Sequence, residues 1–120
     1  MAFTPTLGLV LDCLDPAGLA PFWAAALGYE VAGRNGPYLV LQPAGSDSRP
    51  RFLLQQVPEE KVVKNRMHVD LEVGDIDGVA ARLEALGGRR LNGEPMDEHG
   101  CRWIAMADPE GNELCLCDRC

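Results

Sequence analysis

The sequence predicts an α+β fold in which two copies of one module, about residues 1–60 and 61–120, form a single domain. Residues 67–88 align with residues 7–28, so that Gly8 corresponds to His68 and Asp15 corresponds to Asp75. Each copy begins with the alternation of a strand and continues into a helix pattern that opens on a capping residue. A length of 120 residues is typical of one domain.

The first strand of each module is predicted over residues 7–13 and 67–73, where apolar residues occupy every second position. In the second module the apolar positions are Val69, Leu71 and Val73. The alternate positions there are His68, Asp70 and Glu72, and their counterparts in the first module are Gly8, Val10 and Asp12. Because side chains alternate across a strand, we expect the apolar face to pack on a helix and the other face to line a cleft.

A helix is predicted after each of these strands. Asp15 and Asp75 are expected to be N-caps, because a carboxylate accepts hydrogen bonds from the free N–H groups of the first turn. Gly28 and Gly87 are expected to end the two helices. Pro21 lies inside the first helix pattern, and we expect it to kink that helix or to delay its regular part.

Short strands are predicted for the rest of each module. They cover residues 38–42 and 51–57 in the first module and 89–92, 102–107 and 113–117 in the second. The segment ADPEGN, residues 107–112, has the composition of a tight turn, and we expect its role to be structural. The segment 58–65 links the modules and is too short to separate independent domains.

Charge and composition exclude several classes of protein. A net charge of −7 indicates an acidic surface, which repels phosphate backbones and argues against a nucleic-acid partner. No apolar run reaches the roughly 18 residues of a membrane-spanning helix, and the first residues lack the basic stretch of a secretory signal. We therefore expect a cytoplasmic protein with no membrane partner, in which the five cysteines are reduced.

The C-terminal run Cys115, Cys117 and Cys120 is interpreted either as zinc ligands or as small residues on a terminal strand and its tail.

Three segments carry a resemblance to a known family: LDCLDPAGLAPFWAAALGYE (11–30), KNRMHVDLEV (64–73) and MADPEGNELCLC (106–117). Together with the repeat they resemble the glyoxalase-like domains of the vicinal-oxygen-chelate superfamily, which includes glyoxalases, bleomycin resistance proteins and dioxygenases. The resemblance covers nearly the whole chain. It implies paired βαβββ modules whose curved mixed sheet forms an open barrel around a cleft. It also implies a frequent homodimer, with modules paired within or between chains.

The same resemblance implies a divalent metal ion in the cleft of those members that are enzymes, held by His or Glu from the first and last strands of each module. His68 occupies one such ligand position, whereas the matching position in the first module is Gly8. Cys115 stands where a carboxylate is usual, and residues 53–56 contain no carboxylate. His68 is interpreted as a metal ligand, a general base or an anchor for a bound ligand, and it is the best catalytic candidate. The alternative is a cleft histidine bonded to a neighbour. A different oxygen-rich metal site, made of Asp12, His68 and Glu72, is a further hypothesis.

Residues on the strands expected to line the cleft are the candidate ligand-binding groups: Asp12, Tyr38, Gln55, His68, Asp70, Glu72, Trp103, Glu113 and Cys115. Aromatic side chains offer walls for a planar ligand, and carboxylates favour a cation. For Trp103 the alternative is core packing, for Cys115 a buried thiol, and for Glu113 a salt bridge at the hairpin. The basic segment 61–66 either meets an anionic ligand or a partner subunit, or is a solvated linker.

Three hypotheses of function follow from these residues, and whether the protein is an enzyme stays open at this point. The first is a bleomycin-resistance-type protein without a required cofactor, which sequesters a small cationic or aromatic molecule in the cleft. The second is a divalent-metal-dependent lyase, isomerase or dioxygenase of the superfamily. A third hypothesis is a structural or regulatory domain whose cleft is filled by its own side chains.

Overall fold

The computed structural model describes residues 3–45 and 47–118, and it confirms an α+β fold made of two modules. The elements in chain order are β1 Leu9–Cys13, α1 Pro16–Leu27, β2 Tyr29–Asn35, β3 Tyr38–Pro43, β4 Phe52–Gln56, β5 Val69–Glu72, α2 Ile76–Ala85, β6 Arg89–Arg90, β7 Met96–Glu98, β8 Cys101–Ala107 and β9 Glu113–Asp118. Each helix follows the first strand of its module, as the repeat predicts. Neither helix in the described part of the chain is long and apolar enough to cross a membrane.

Each module forms one mixed sheet. The first sheet has the order β1-β4-β3-β2 and the second has the order β5-β9-β8-β6, with β7 paired to β8. In both sheets the first strand of the module runs parallel to the last, through β1 with β4 and β5 with β9, and the remaining pairs are antiparallel. The last strand of each module therefore lies at the centre of its sheet, between the first strand and the strand before it.

Two strands were absent from the sequence-based assignment. β2 is exposed along almost its whole length, so the alternation that identifies a half-buried strand is missing there. Its pairing with β3 also shifts register between Val31 and Gly33, which interrupts any regular pattern. β7 has only three residues, all exposed, and pairs with β8 at its edge.

The predicted helix caps are confirmed. The Asp15 carboxylate accepts a hydrogen bond from the Gly18 amide at 3.1 Å, and its repeat partner Asp75 accepts one from the Gly78 amide at 3.0 Å. Gly28 ends α1 in the left-handed conformation, with φ of 68°, which glycine adopts without steric cost. α1 runs from Pro16 to Leu27 as one helix with Pro21 inside it.

The second helix ends differently from the first. α2 stops at Ala85, and the amides of Gly87 and Gly88 donate to the carbonyl oxygens of Glu84 and Leu83, both at 3.0 Å. Gly87 has a φ of 97°, so the predicted stop is confirmed. Gly88, the repeat partner of Gly28, has another role, since a Cβ there would lie 2.5 Å from the Cε2 atom of Phe22. This close approach brings the end of α2 against the first helix.

A single hydrophobic core joins the two modules. Each helix packs on the sheet of its own module, and the helices also contact each other. At the centre, the Trp23 ring stacks on Phe52 with centroids 4.8 Å apart, and Phe22 meets Trp23 edge to face at 5.5 Å. Phe22 and Trp23 are therefore both core residues.

The turn before β9 is fixed to the first module by a buried carboxylate. Asp108 is 2% exposed, and its Oδ2 accepts a hydrogen bond from Nε1 of Trp23 at 2.8 Å. Its two oxygens also accept from the amides of Glu110 and Asn112 and from the Asn112 side chain. The Glu110 carboxylate in turn accepts from the amides of Leu14 and Asp15, at 2.7 and 2.9 Å. The turn thus has the structural role that its composition predicts.

The cysteines do not all share one state. Cys13, Cys115 and Cys117 are free thiols. Cys101 is disulfide-bonded, which corrects the expectation that every cysteine is reduced. That expectation used the cellular compartment, whereas a disulfide also requires two Cα atoms within about 7 Å, a distance that sequence does not give. Cys120, the third residue of the C-terminal run, lies outside the described residues.

We expect Asp108→Ala to lower the free energy of unfolding by about 3 kcal/mol or more. The change leaves the buried Trp23 and Asn112 donors without an acceptor, and each such loss costs about 1–3 kcal/mol. Urea unfolding followed by circular dichroism measures it. Glu94→Ala, at an exposed carboxylate, is the control and should stay within about 0.5 kcal/mol of wild type. A loss below about 1 kcal/mol for Asp108→Ala would contradict the anchoring role.

The Cys13 thiol should make the fold sensitive to alkaline pH. Burial, reinforced by the carboxylates of Glu110 and Asp108, raises the pKa of Cys13 from 9.0 to about 12. Between these values the unfolded chain loses this proton and the folded chain keeps it, so stability falls as pH rises above about 9. Urea unfolding at pH 8 and pH 11 should show a larger loss for wild type than for Cys13→Ala. Equal losses in the two proteins would show that Cys13 does not contribute.

Candidate functional site

A cleft of about 670 Å³ lies on the face of the second sheet that is turned away from the core. On β8 and β9 the buried residues alternate with half-buried ones: Ile104, Met106, Leu114 and Leu116 are fully buried. The intervening side chains, which follow the period of two, point into the cleft. Those that carry chemistry are His68, Asp70, Trp103, Glu113, Cys115 and Cys117.

Strand register places Cys115 in the middle of this face. It lies beside Asp70 of β5 on one side and beside Ala105 of β8 on the other. Two residues further along β9, Cys117 lies beside Trp103. Because β9 is a central strand with hydrogen-bonded neighbours on both sides, the backbone fixes the spacing of these side chains.

Three polar groups converge at one point of the cleft. The Nε2 atom of His68 lies 3.2 Å from Oδ1 of Asp70, and both side chains are substantially exposed, at 44% and 64%. One ligand atom each from His68, Asp70 and Cys115 fits within 4.8 Å of the others. An imidazole nitrogen, a carboxylate oxygen and a sulfur are all common metal ligands in proteins.

The Cys115 thiol is a poor nucleophile in this setting. Burial raises its pKa, and the nearby Asp70 carboxylate raises it further. The thiolate is the reactive form of cysteine, so a raised pKa lowers its reactivity at neutral pH. Burial likewise raises the pKa of Cys117, whose thiol donates to the carbonyl oxygen of Leu71 at 3.7 Å.

Glu113 is held by the basic linker. Its carboxylate pairs with Nζ of Lys64 and lies 3.5 Å from Nζ of Lys61. The hydrogen bond from Lys64 is the main cause of a lowered Glu113 pKa, and the amide of Asn65 adds to it at 3.3 Å. Glu113 thus forms a salt bridge, as its alternative interpretation expects, but its partners are lysines of the linker and not residues of the hairpin. The two lysines of the linker thus neutralise a carboxylate of their own chain. Among the described residues, no lysine or arginine pairs with Asp70, the other carboxylate of the cleft.

The predicted site residues of the first module lie elsewhere. Tyr38 and Gln55 face each other across β3 and β4 in the first sheet. Asp12 lies on the exposed side of β1, in a depression that it shares with Lys61 and Arg66 of the linker. Gly8, the counterpart of His68, has no side chain to contribute.

The oxygen-rich set of Asp12, His68 and Glu72 is not brought together by the structure. His68 and Glu72 are four residues apart along one extended chain, which separates their Cα atoms by roughly 13 Å at about 3.3 Å per residue. Glu72 lines a separate depression with Arg102 and Asp118. Asp70, two residues after His68, instead lies 3.2 Å from its imidazole.

Sequence reasoning missed Lys64 and Leu91 as cleft residues. Lys64 reaches the cleft because it pairs with Glu113, which lies 49 residues further along the chain. No local pattern signals such a contact. Leu91 follows the two-residue strand β6 and is exposed, so neither burial nor alternation marks it.

A family model described as a glyoxalase-like domain matches residues 8–117. The chain belongs to this glyoxalase-like family. Membership confirms the resemblance to the vicinal-oxygen-chelate superfamily that the repeat and the three segments indicate. No curated protein matches the chain.

Solved structures of glyoxalase-like proteins share this fold at low sequence identity. A glyoxalase/bleomycin resistance protein/dioxygenase family enzyme from Burkholderia phytofirmans is 12% identical, with a TM-score of 0.76 over 93% of this chain and 96% of that one. A glyoxalase/bleomycin resistance protein/dioxygenase from Nocardioides is 19% identical, with a TM-score of 0.72 over 99% of this chain and 85% of that one. A mutant of the fosfomycin resistance protein FosX from Listeria monocytogenes, in complex with Mn(II) and 1S,2S-dihydroxypropylphosphonic acid, is 16% identical, with a TM-score of 0.74 over 97% and 90%.

The residues of this chain can be compared with the divalent ion that the family resemblance implies. His68, Asp70 and Cys115 offer three donor atoms within 4.8 Å of one another, which fits a single ion. The set departs from the His and Glu ligands that the family resemblance implies, since one donor is a sulfur and none comes from the first module. The three donors therefore fit one metal ion, but they are not the ligand set that the resemblance implies.

Proposed function

We propose that this chain is a cytoplasmic small-molecule-binding protein of the bleomycin-resistance type, which sequesters a small aromatic molecule with a cationic group. The observation that supports the proposal best is the cleft on the second sheet. Its volume of about 670 Å³ is in the range of about 300–1,000 Å³ that small-ligand sites occupy. Its walls include Trp103, Leu91 and Ala105, with a few polar groups at one side.

The charges of the cleft favour a cation. Glu113 is neutralised by Lys61 and Lys64, whereas Asp70 has only His68 as a partner among the described charged residues. An ammonium group can pair with Asp70 while an attached ring lies against Trp103. The net charge of −7 attracts a cationic molecule from solution.

Replacement of Trp103 should weaken binding of a small aromatic amine by about tenfold, because the stacking surface is lost. A panel of such amines is first screened by thermal shift, since a ligand at a hundred times its dissociation constant adds about 2.7 kcal/mol of stability. The affinity of the best amine is then measured by titration calorimetry for wild type and Trp103→Ala.

Tyr38→Ala is the matched control for this measurement, because Tyr38 is an exposed aromatic residue of the first sheet. Its affinity should equal that of wild type. The proposal is wrong if no amine stabilises the protein, or if Tyr38→Ala loses as much affinity as Trp103→Ala.

The clustering of His68, Asp70 and Cys115 favours a second candidate, a metal-dependent lyase, isomerase or dioxygenase. A bound divalent ion would act as a Lewis acid that polarises a substrate oxygen. These three residues would hold it, and Trp103 would orient the substrate against the wall of the cleft. Stoichiometric metal in protein purified without a tag would favour this candidate over a metal-free binding protein.

We also propose that the protein is a homodimer. Val62, Val63 and Met67 of the linker are 83%, 71% and 71% exposed, and Val10 of the neighbouring β1 is 56% exposed. Val10 and Met67 line one depression, and exposed apolar side chains that lie together are typical of protein interfaces. A second copy of the chain, related by a two-fold axis, would cover the same patch on both subunits.

Negative charge at the exposed valines of the linker should dissociate this dimer. Val62→Asp combined with Val63→Asp places carboxylates in the interface, so sedimentation velocity should show a monomer where wild type is a dimer. Val31→Asp, at an exposed valine of β2, should remain dimeric. A monomeric wild type, or dissociation by Val31→Asp alone, would contradict the proposed interface.

A further inference from the structure

We propose that the cleft takes a zwitterion, an aromatic molecule that carries a carboxylate as well as an ammonium group, and that Lys64 binds this carboxylate. An aromatic α-amino acid is the simplest molecule of the class. The inference rests on the proposed binding of an aromatic amine and adds a second polar group to the ligand. It follows from the charges at the two ends of the cleft and from the spacing between them.

The charged side chains at one end of the cleft have a positive sum. Lys64 pairs with Glu113, and Nζ of Lys61 lies 3.5 Å from the same carboxylate. Two ammonium groups on one carboxylate leave one positive charge in excess. The side chains of Lys61 and Glu113 are 21% and 17% exposed, whereas that of Lys64 is 71% exposed and lines the cleft. Lys64 is therefore the cation that a ligand in the cleft can reach.

The Lys64 ammonium can bind a second acceptor without leaving Glu113. A lysine ammonium carries three N–H donors. Within the described part of the chain, Glu113 is the one residue that accepts a hydrogen bond from it. The carboxylate of a ligand can take another donor, and hydrogen bonds between charged groups are about twice as strong as those between neutral groups. The contact with Glu113 also restrains the long side chain before a ligand arrives, which lowers the entropy cost of binding.

The opposite end of the cleft carries a negative group. The Asp70 side chain is 64% exposed and lies 3.2 Å from Nε2 of His68. Cys115, which lines the same cleft, responds to both ends: burial raises its pKa most, the Asp70 carboxylate raises it further, and the Lys64 ammonium lowers it. Charges of opposite sign therefore act on one thiol, and a ligand above it meets both.

The spacing of the two ends suits an α-amino acid. Asp70 lies beside Cys115 across the pair of β5 and β9, and Glu113 is two residues before Cys115 on β9. With strands about 4.8 Å apart and about 3.3 Å per residue, the Cα atoms of Asp70 and Glu113 are about 8 Å apart. The Lys64 ammonium is held on the Glu113 carboxylate, so the charged ends have a separation of this order. Two charged hydrogen bonds of about 2.8 Å leave a gap of a few ångströms, which the ammonium and carboxylate groups of an α-amino acid fill.

An apolar wall beside these charges receives the ring of the ligand. Trp103, Leu91 and Ala105 line the same cleft, and Ala105 lies beside Cys115 on the side away from Asp70. An aromatic ring on the α-carbon can therefore lie against Trp103 while the charged groups face β5 and the linker. A molecule that lacks the ring, the ammonium group or the carboxylate loses one of three contacts.

Related indole compounds separate these contacts. Tryptophan has the ring and both charges, tryptamine lacks the carboxylate, and indole-3-propionate lacks the ammonium group. Their affinities for the full chain are measured by titration calorimetry at low ionic strength, because salt screens exposed charges. We expect tryptophan to bind about tenfold more tightly than either of the other compounds, since each of them loses one hydrogen bond between charged groups.

Variants assign the two charged contacts. Lys64→Gln should bind tryptophan and tryptamine with about equal affinity, because the contact with the carboxylate is lost. Arg66→Gln is the matched control: it removes the same charge from the same linker, but Arg66 lines a different depression, so the preference for tryptophan should persist. Asp70→Asn should weaken the binding of tryptophan and tryptamine alike, but not that of indole-3-propionate. The circular dichroism spectrum of each variant shows whether it is folded.

Three results would overturn the inference: tryptamine that binds wild type as tightly as tryptophan does, a preference for tryptophan that survives in Lys64→Gln, or the same loss of preference in Arg66→Gln. The last would assign the effect to the overall charge of the linker and not to Lys64. Each of these results leaves the proposed binding of an aromatic amine intact. If neither tryptamine nor tryptophan binds and no other aromatic amine stabilises the protein, both proposals are wrong.

Discussion

The hydrogen bond between the Trp23 indole and the Asp108 carboxylate joins the two modules at the centre of the core. Trp23 belongs to the first helix, and Asp108 begins the turn that leads into β9. A carboxylate that is 2% exposed is stable only when its oxygens accept hydrogen bonds, and this one accepts four. The turn therefore has one position relative to the first module, and so has the strand that follows it.

The position of β9 decides the chemistry of the cleft. Glu113, Cys115 and Cys117 point from it to one side, while Leu114 and Leu116 enter the core on the other. A shift of one residue would exchange these two sets, since side chains alternate across a strand. The core contacts of Leu114 and Leu116 thus hold Cys115 beside Asp70. In this way the packing of the two modules determines the polar face of one of them.

The two modules have kept their structural residues and diverged in the cleft. Asp15 and Asp75 cap the two helices with nearly equal hydrogen bonds. In contrast, Gly8 has no side chain where the second module has His68. We infer that the repeat preserves what the fold needs, whereas the polar groups of the candidate site come from the second module alone.

Sequence patterns predicted the parts of the structure that depend on neighbours along the chain. Caps, helix stops and half-buried strands follow from local hydrogen bonding and from alternation, and most of them are confirmed. β2 was missed because it is exposed on both faces and lacks this alternation. The salt bridge of Lys64 with Glu113 and the pairing of Asp70 with Cys115 join residues that are distant in sequence, so only the folded sheet reveals them.

The most direct test of this account is a ¹H–¹⁵N correlation spectrum of the protein during titration with the small aromatic amine that stabilises it most. The account predicts that the shifted resonances cluster on one face of the second sheet, at His68, Asp70, Cys115 and the Trp103 indole. Resonances of Asp12, Tyr38 and Gln55 in the first module should stay in place. Shifts concentrated at those three residues, or no shifts at all at saturating amine, would contradict a site built from the second module.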